Sequence, residues 1–229
     1  AGADGNINRT DDNIDHRIAV VGFASGRDSN YYNTEVFVGS EQYRYGSAAQ
    51  GQYVNAFQNM NTSTGVSNVN ASIGALSADG GTLTNLGLEM ANGIFEANPI
   101  PSGEQRNRVV VVFTDGAPGW SSGDYDSDIA SSAISQATKA KNTYKATVYG
   151  VGIFSGADAS SVGSVTGDET QQANWFMQQI SNNNGTPKSP SYYLSAADAG
   201  ALNSIFKQIS DNIQTGGSST TLGSETVVK

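Results

Sequence analysis

A chain of 229 residues with 12 basic and 21 acidic side chains carries a net charge of −9, and no basic cluster stands out along it, which argues against nucleic acid as a partner. The length suits one large domain, or one with appendages, and allows a core of useful size. With no cysteine, the chain can form neither a disulfide framework nor a thiolate nucleophile nor a zinc–thiolate site.

In chain order, residues 1–16 form a polar lead-in rich in Asn, Asp and Gly, ending at the single histidine, His16. His16 has no candidate catalytic neighbour in sequence, which removes most histidine-based triads. Residues 17–24 read as a strand buried on both faces. Residues 34–38 alternate weakly and are expected to return antiparallel as an edge strand. Two short helices follow, around Tyr53, Val54 and Phe57 and around Val69, Ile73 and Leu76. From Thr84 to Glu96, Leu86, Met90 and Ile94 lay an apolar stripe along one helical face, and Pro99 and Pro101 forbid its continuation.

The run 109–113, four valines and a phenylalanine, is a buried strand. A helix is then marked by Ile129, Ala133, Ile134 and Ala137, a strand by residues 146–153, a helix by 174–180 and a short strand by 191–194. The last helix aligns Leu202, Ile205, Phe206, Ile209 and Ile213. From Gly216 to Lys229 the chain is rich in Gly, Ser and Thr without helical period, and reads as a linker. No apolar stretch approaches the roughly 20 residues that span a bilayer, so membrane insertion by this domain is not expected.

Strands alternating with helices at this length imply an α/β fold, doubly wound, with a mostly parallel sheet, one antiparallel edge strand and helices on both faces. In such sheets ligands bind beyond the carboxyl ends of the strands. Strand 109–113 delivers Asp115 and Gly116 into that region, and Gly80-Gly81-Thr82 precedes the helix beginning near Thr84. Thr82 and Asp115 are hard oxygen donors on different loops, a combination that suits a divalent cation. Taken singly, Thr82 could merely cap its helix and Asp115-Gly116 could merely open a turn. Thr84 is either a supporting hydroxyl or a solvent-facing residue of the first turn.

The strand 17–24, the Gly81-Thr82-Leu83-Thr84 helix head, the strand and loop through Thr114-Asp115-Gly116-Ala117-Pro118-Gly119, and the pattern from Tyr192 to Ile209 occur in one order. Together they resemble a von Willebrand factor A domain, most closely those of Gram-positive surface adhesins and pilus tip proteins. The resemblance covers roughly residues 17–215. It implies a metal-ion-dependent adhesion site in which Thr82 and Asp115 match two of three ligand-bearing loops. It further implies Mg²⁺, or another divalent cation such as Ca²⁺ or Mn²⁺, with an open position for a partner's carboxylate.

The third loop, Asp-x-Ser-x-Ser after a central first strand, has no match; Asp11-Asp12-Asn13 and Arg27-Asp28-Ser29 do not follow its pattern. The expectation is therefore a partial domain whose central strand is missing, with that strand and its loop preceding Ala1. Such a sheet would expose two apolar edges open to pairing with another chain.

Asp124, Asp126 and Asp128 could form a separate calcium loop, although the EF-hand glycine and distal glutamate are absent. The plainer reading gives Asp126 or Ser127 to the cap of the following helix. Tyr31, Tyr32, Tyr43, Tyr45 and Tyr53 concentrate near the predicted edge strand and suit either an interface or ordinary packing.

The functional expectation is a non-enzymatic adhesion module at the bacterial cell surface, in the cell wall or a pilus. Its partners would be a protein or glycan offering a carboxylate and the flanking domains of a larger protein. Few charges and abundant Gly, Ser, Asn and Thr fit that setting. A structural or assembly domain without a functional metal is the alternative. No Gly-x-x-x-x-Gly-Lys-Ser/Thr phosphate loop supports an ATPase, and Ser121-Ser122 has no evident base to serve a hydrolase.

Overall fold

The computed structural model describes residues 16–24, 33–77, 80–121, 124–196, 199–215 and 223–228. The elements run β1 (His16–Gly22), β2 (Glu35–Val38), β3 (Glu41–Arg44), α1 (Gln50–Asn55), β4 (Gln58–Asn59), α2 (Ser63–Ala75), α3 (Thr84–Ala97), β5 (Arg106–Thr114), α4 (Ser127–Thr143), β6 (Thr147–Gly152), α5 (Glu169–Ile180), β7 (Tyr193–Ser195), α6 (Ala199–Thr215) and β8 (Gly223–Val228). The sheet order is β3-β2-β1-β8-β5-β6-β7, with β4 pairing the start of β1. Strands β1, β8, β5, β6 and β7 are mutually parallel, and β2 and β3 form an antiparallel hairpin beside β1.

Alternation along β5 builds two cores. Val110 and Val112 join Leu88, Met90, Ile94 and Phe95 of α3, the alanines of α4, and Phe176, Met177 and Ile180 of α5 in the larger cluster. Val109 and Val111 face the other way, against Ile205 and Ile209 of α6. A third cluster places Val69 of α2 on Val20 and Phe37. The α/β doubly wound arrangement with helices on both faces is thus present, and β5 and β6 are buried along most of their length on both sides, as their continuous apolar runs require.

Four expectations are corrected. The strand at 34–38 is not the edge, because β3 pairs beyond it; Glu41-Gln42-Tyr43-Arg44 is polar and mostly exposed, which suits an outermost strand and hides it from a hydrophobic reading. Phe57 and Leu76 lie outside α1 and α2; Phe57 packs on the large cluster from beyond its helix. The tail read as a linker yields β8. Finally, the central place expected to be vacant is held by β8, which pairs Arg17 to Val20 of β1 on one side and Arg106 to Val111 of β5 on the other. The two edges expected to be open are covered along that length.

Among the described residues no helix is long and apolar enough to cross a membrane. Tyr43, Tyr45 and Tyr53 pack against the large core, while Tyr31 and Tyr32 lie outside the described residues.

Candidate functional site

Two loops at the carboxyl rim of the parallel strands carry the predicted site residues. Asp115 follows β5, and Thr114 shapes the turn: its hydroxyl donates to Gly116 O at 2.8 Å and accepts from Gly116 N at 3.3 Å. With the backbone folded back in this way, Asp115 is exposed at the rim. Thr82 lies in the connection from α2 to α3. It is joined to the Asp115 loop by an isolated antiparallel bridge with Gly119, Thr82 N donating to Gly119 O at 2.7 Å and Gly119 N to Thr82 O at 3.1 Å.

The glycines explain why the loops can meet. A Cβ on Gly81 would stand 2.3 Å from the Trp120 carbonyl carbon and 2.4 Å from Gly119 O; one on Gly119 would stand 1.7 Å from Asp124 O. Backbone approaches backbone too closely for any side chain. The loop is also held from its far end, where Asp126 N donates to Pro118 O at 2.8 Å and the Asp126 carboxylate caps α4 by accepting from Asp128 N and Ile129 N.

Thr82 and Asp115 line one cavity of about 630 Å³, together with residues 21–24 after and within β1, Phe113 and Thr114 of β5, Asn33, Glu35, Leu76, Ser77 and Ile153. It lies at the carboxyl ends of β1 and β5, which run to Gly22 and Thr114.

The family model for the von Willebrand factor type A domain matches residues 30–208. The chain belongs to the von Willebrand factor type A domain family. No curated protein and no solved structure matched it. Domains of this family are commonly protein-interaction or adhesion modules, and often form part of larger proteins.

In this A domain the hydroxyl of Thr82 and the carboxylate of Asp115 make no hydrogen bond or ion pair among the described residues. Oxygen donors with no partner among the described residues, lining one cavity from two loops, fit the hard, oxygen-seeking chemistry of a small divalent cation. No group of three His, Asp or Glu side chains able to hold a metal occurs among the described residues; a site of this kind would have to draw on hydroxyls and waters.

Thr84, the first residue of α3, is fully buried, and its hydroxyl oxygen has no hydrogen-bond partner among the described residues. The solvent-facing reading of Thr84 is therefore incorrect: the helix head turns it inward. Of the three aspartates at 124–128, Asp126 acts as the helix cap and Asp124 and Asp128 are exposed, in line with the plainer reading. His16 opens β1 at the opposite rim from Asp115.

Sequence reasoning missed Glu35. It begins β2 with only 8% of its surface exposed, yet it lines the Thr82–Asp115 cavity. Burial pushes its carboxyl above the ordinary carboxylate range, with Arg44 pulling the other way. Arg44 is its register partner on β3. The available signal was an acidic residue opening an otherwise apolar run, Thr34-Glu35-Val36-Phe37-Val38.

Proposed function

We propose that this A domain is a cell-surface adhesion module that recognises a carboxylate-bearing protein or glycan through a divalent cation, Mg²⁺ or a substitute such as Mn²⁺ or Ca²⁺, held by Thr82 and Asp115. The observation that carries the reading is the meeting of these two residues at one cavity, on loops joined through Gly119. When bound, the cation supplies an open coordination position for an acidic group of the partner. Thr82 contributes a neutral oxygen and Asp115 an anionic one. Their small combined charge leaves the ion electrophilic, and the result is recognition rather than turnover. The low-charge, cysteine-free composition supports a place at a bacterial surface, as in the Gram-positive adhesins and pilus tips that the sequence resembles.

Asp115→Ala tests the reading. The parent should be retained on an immobilised aspartate-rich peptide in Mg²⁺ and released by a chelator, whereas the variant should bind equally poorly in both. Because Asp115 is exposed, its unfolding free energy should stay within about 0.5 kcal/mol of the parent. Equal, chelator-sensitive retention of both proteins would overturn the proposal. A second reading, a structural or assembly domain without a metal, draws support from the lack of a three-residue ligand cluster among the described residues; it predicts no chelator effect on either protein.

A further inference from the structure

We infer that the carboxylate recognised by this A domain belongs to a protein partner and stands beside a bulky apolar side chain, which seats against Leu76, Phe113 and Ile153. The inference rests on the reading of Thr82 and Asp115 given above and narrows its partner from protein or glycan to protein.

Three apolar side chains form the wall. Ile153 follows β6 and is fixed beside the Asp115 loop, since its backbone N donates to Thr114 O at 2.9 Å. It lines the cavity and is 43% exposed. Leu76 ends α2 and leans over the end of β1, its Cδ2 standing 3.1 Å from where a Cβ on Gly22 would be. It too lines the cavity, and is 39% exposed. Phe113 of β5 lies between them in sequence order, its ring braced by Phe206 of α6 at 5.4 Å between centroids. Aliphatic side chains held in water at this exposure gain from being covered, and the wall is continuous with the Asp115 loop through Ile153.

The cavity has room for such a group. A six-coordinate cation fills roughly 180 Å³, at about 30 Å³ for each water-sized ligand, against a cavity of about 630 Å³. Of the polar side chains that line the remainder, Glu35 is buried and the Thr114 hydroxyl is engaged with Gly116, which leaves Asn33 and Ser77. A uronic acid carries hydroxyls around its carboxylate, and on an apolar wall these would lose water without gaining hydrogen bonds. A leucine or phenylalanine beside an aspartate has no such cost.

The experiment uses three immobilised probes in Mg²⁺: a peptide with aspartate between leucines, one with aspartate between glycines, and an oligoglucuronate. The parent is compared with Ile153→Ser, Leu76→Ser and, as a control, Val54→Ser on α1, which is 44% exposed and does not line the cavity. Mn²⁺ binding is followed by electron paramagnetic resonance on each protein. The parent should hold the leucine-flanked peptide about tenfold more tightly than the glycine-flanked one, as part-burial of a leucine side chain provides, and should hold the oligoglucuronate no better than the latter. Ile153→Ser and Leu76→Ser should each weaken binding of the leucine-flanked peptide at least about threefold, with Mn²⁺ affinity and binding of the glycine-flanked peptide at the parent's values. Val54→Ser should match the parent throughout.

Equal affinity of the parent for the two peptides, or tighter binding of the oligoglucuronate than of the leucine-flanked peptide, would overturn the inference and, with Mn²⁺ still bound, leave the Thr82–Asp115 site standing. Self-association of the parent in analytical ultracentrifugation, abolished by both Ile153→Ser and Leu76→Ser, would also overturn it, because a second copy would then be what covers the wall. Absence of Mn²⁺ binding by the parent would overturn the underlying site and this extension together.

Discussion

The two rims of the sheet treat charge in opposite ways. At the amino rim, Arg106, Arg108, Lys145, Tyr149, Tyr192 and Asn212 line a cavity of about 380 Å³, and its arginines are engaged. Arg108 is 6% exposed; its Nη2 donates to Asn98 O at 2.5 Å and Phe95 O at 3.4 Å, carbonyls at the end of α3. Its guanidinium lies over the rings of Phe95 and Tyr144 at 5.0 and 5.8 Å. Arg106 pairs with Glu104 at 2.9 Å. At the carboxyl rim, Asp115 is exposed and lines its cavity with no hydrogen bond or ion pair to another described residue. The contrast separates charge used to hold the fold from charge left for a ligand.

Removing the engaged charge should therefore cost the most stability. Arg108→Ala withdraws a cation from the carboxyl end of α3, where carbonyls lack helical partners, and also removes its stacking on two rings. A loss of about 3 kcal/mol is expected from the loss of charged hydrogen bonds and stacking combined, read from urea unfolding, with Mn²⁺ affinity unchanged. A loss below about 1 kcal/mol, the scale of an ordinary neutral hydrogen bond, would mean that the rims do not differ in this way.

Gly81→Ala probes the opposite rim through its backbone. The added methyl would meet the Trp120 and Gly119 carbonyl groups at under 2.5 Å, so the loops carrying Thr82 and Asp115 must separate. Overpacking of this kind costs about 1–3 kcal/mol, and cation affinity should fall in parallel. Loss of stability with full affinity would show that the Thr82–Gly119 bridge is not what sets the spacing of the two oxygens.

Where residues act through local pattern, the sequence was readable. The apolar runs of β1, β5 and β6 and the 3.6-residue stripe of α3 form where expected, and family membership agrees with the motif order. The rim positions of Thr82 and Asp115 were legible because each sits at a fixed place relative to a strand or helix. Glu35 and β8 were not, for a common reason. Gly223–Val228 opens with Gly, Ser, Glu and Thr and gains its place only from β1 and β5, elements far away in the chain. Likewise Glu35 sits in a weakly alternating strand, and its place depends on a cavity built by four other segments.

The smallest expected effect has the opposite sign. Thr84 is as buried as any core residue, but its hydroxyl has no partner among the described residues; valine matches its shape and removes the polar atom. Because an unsatisfied buried hydroxyl costs about 1–3 kcal/mol and helix propensity barely separates Thr from Val, Thr84→Val should raise stability by about 1 kcal/mol. Mn²⁺ affinity should stay at the parent's value if Thr84 only fills the helix head. If instead the variant loses both stability and Mn²⁺ affinity, the hydroxyl is completing the cation's surroundings through a bound water. Thr84 would then belong with Thr82 and Asp115 among the groups held ready at the carboxyl rim.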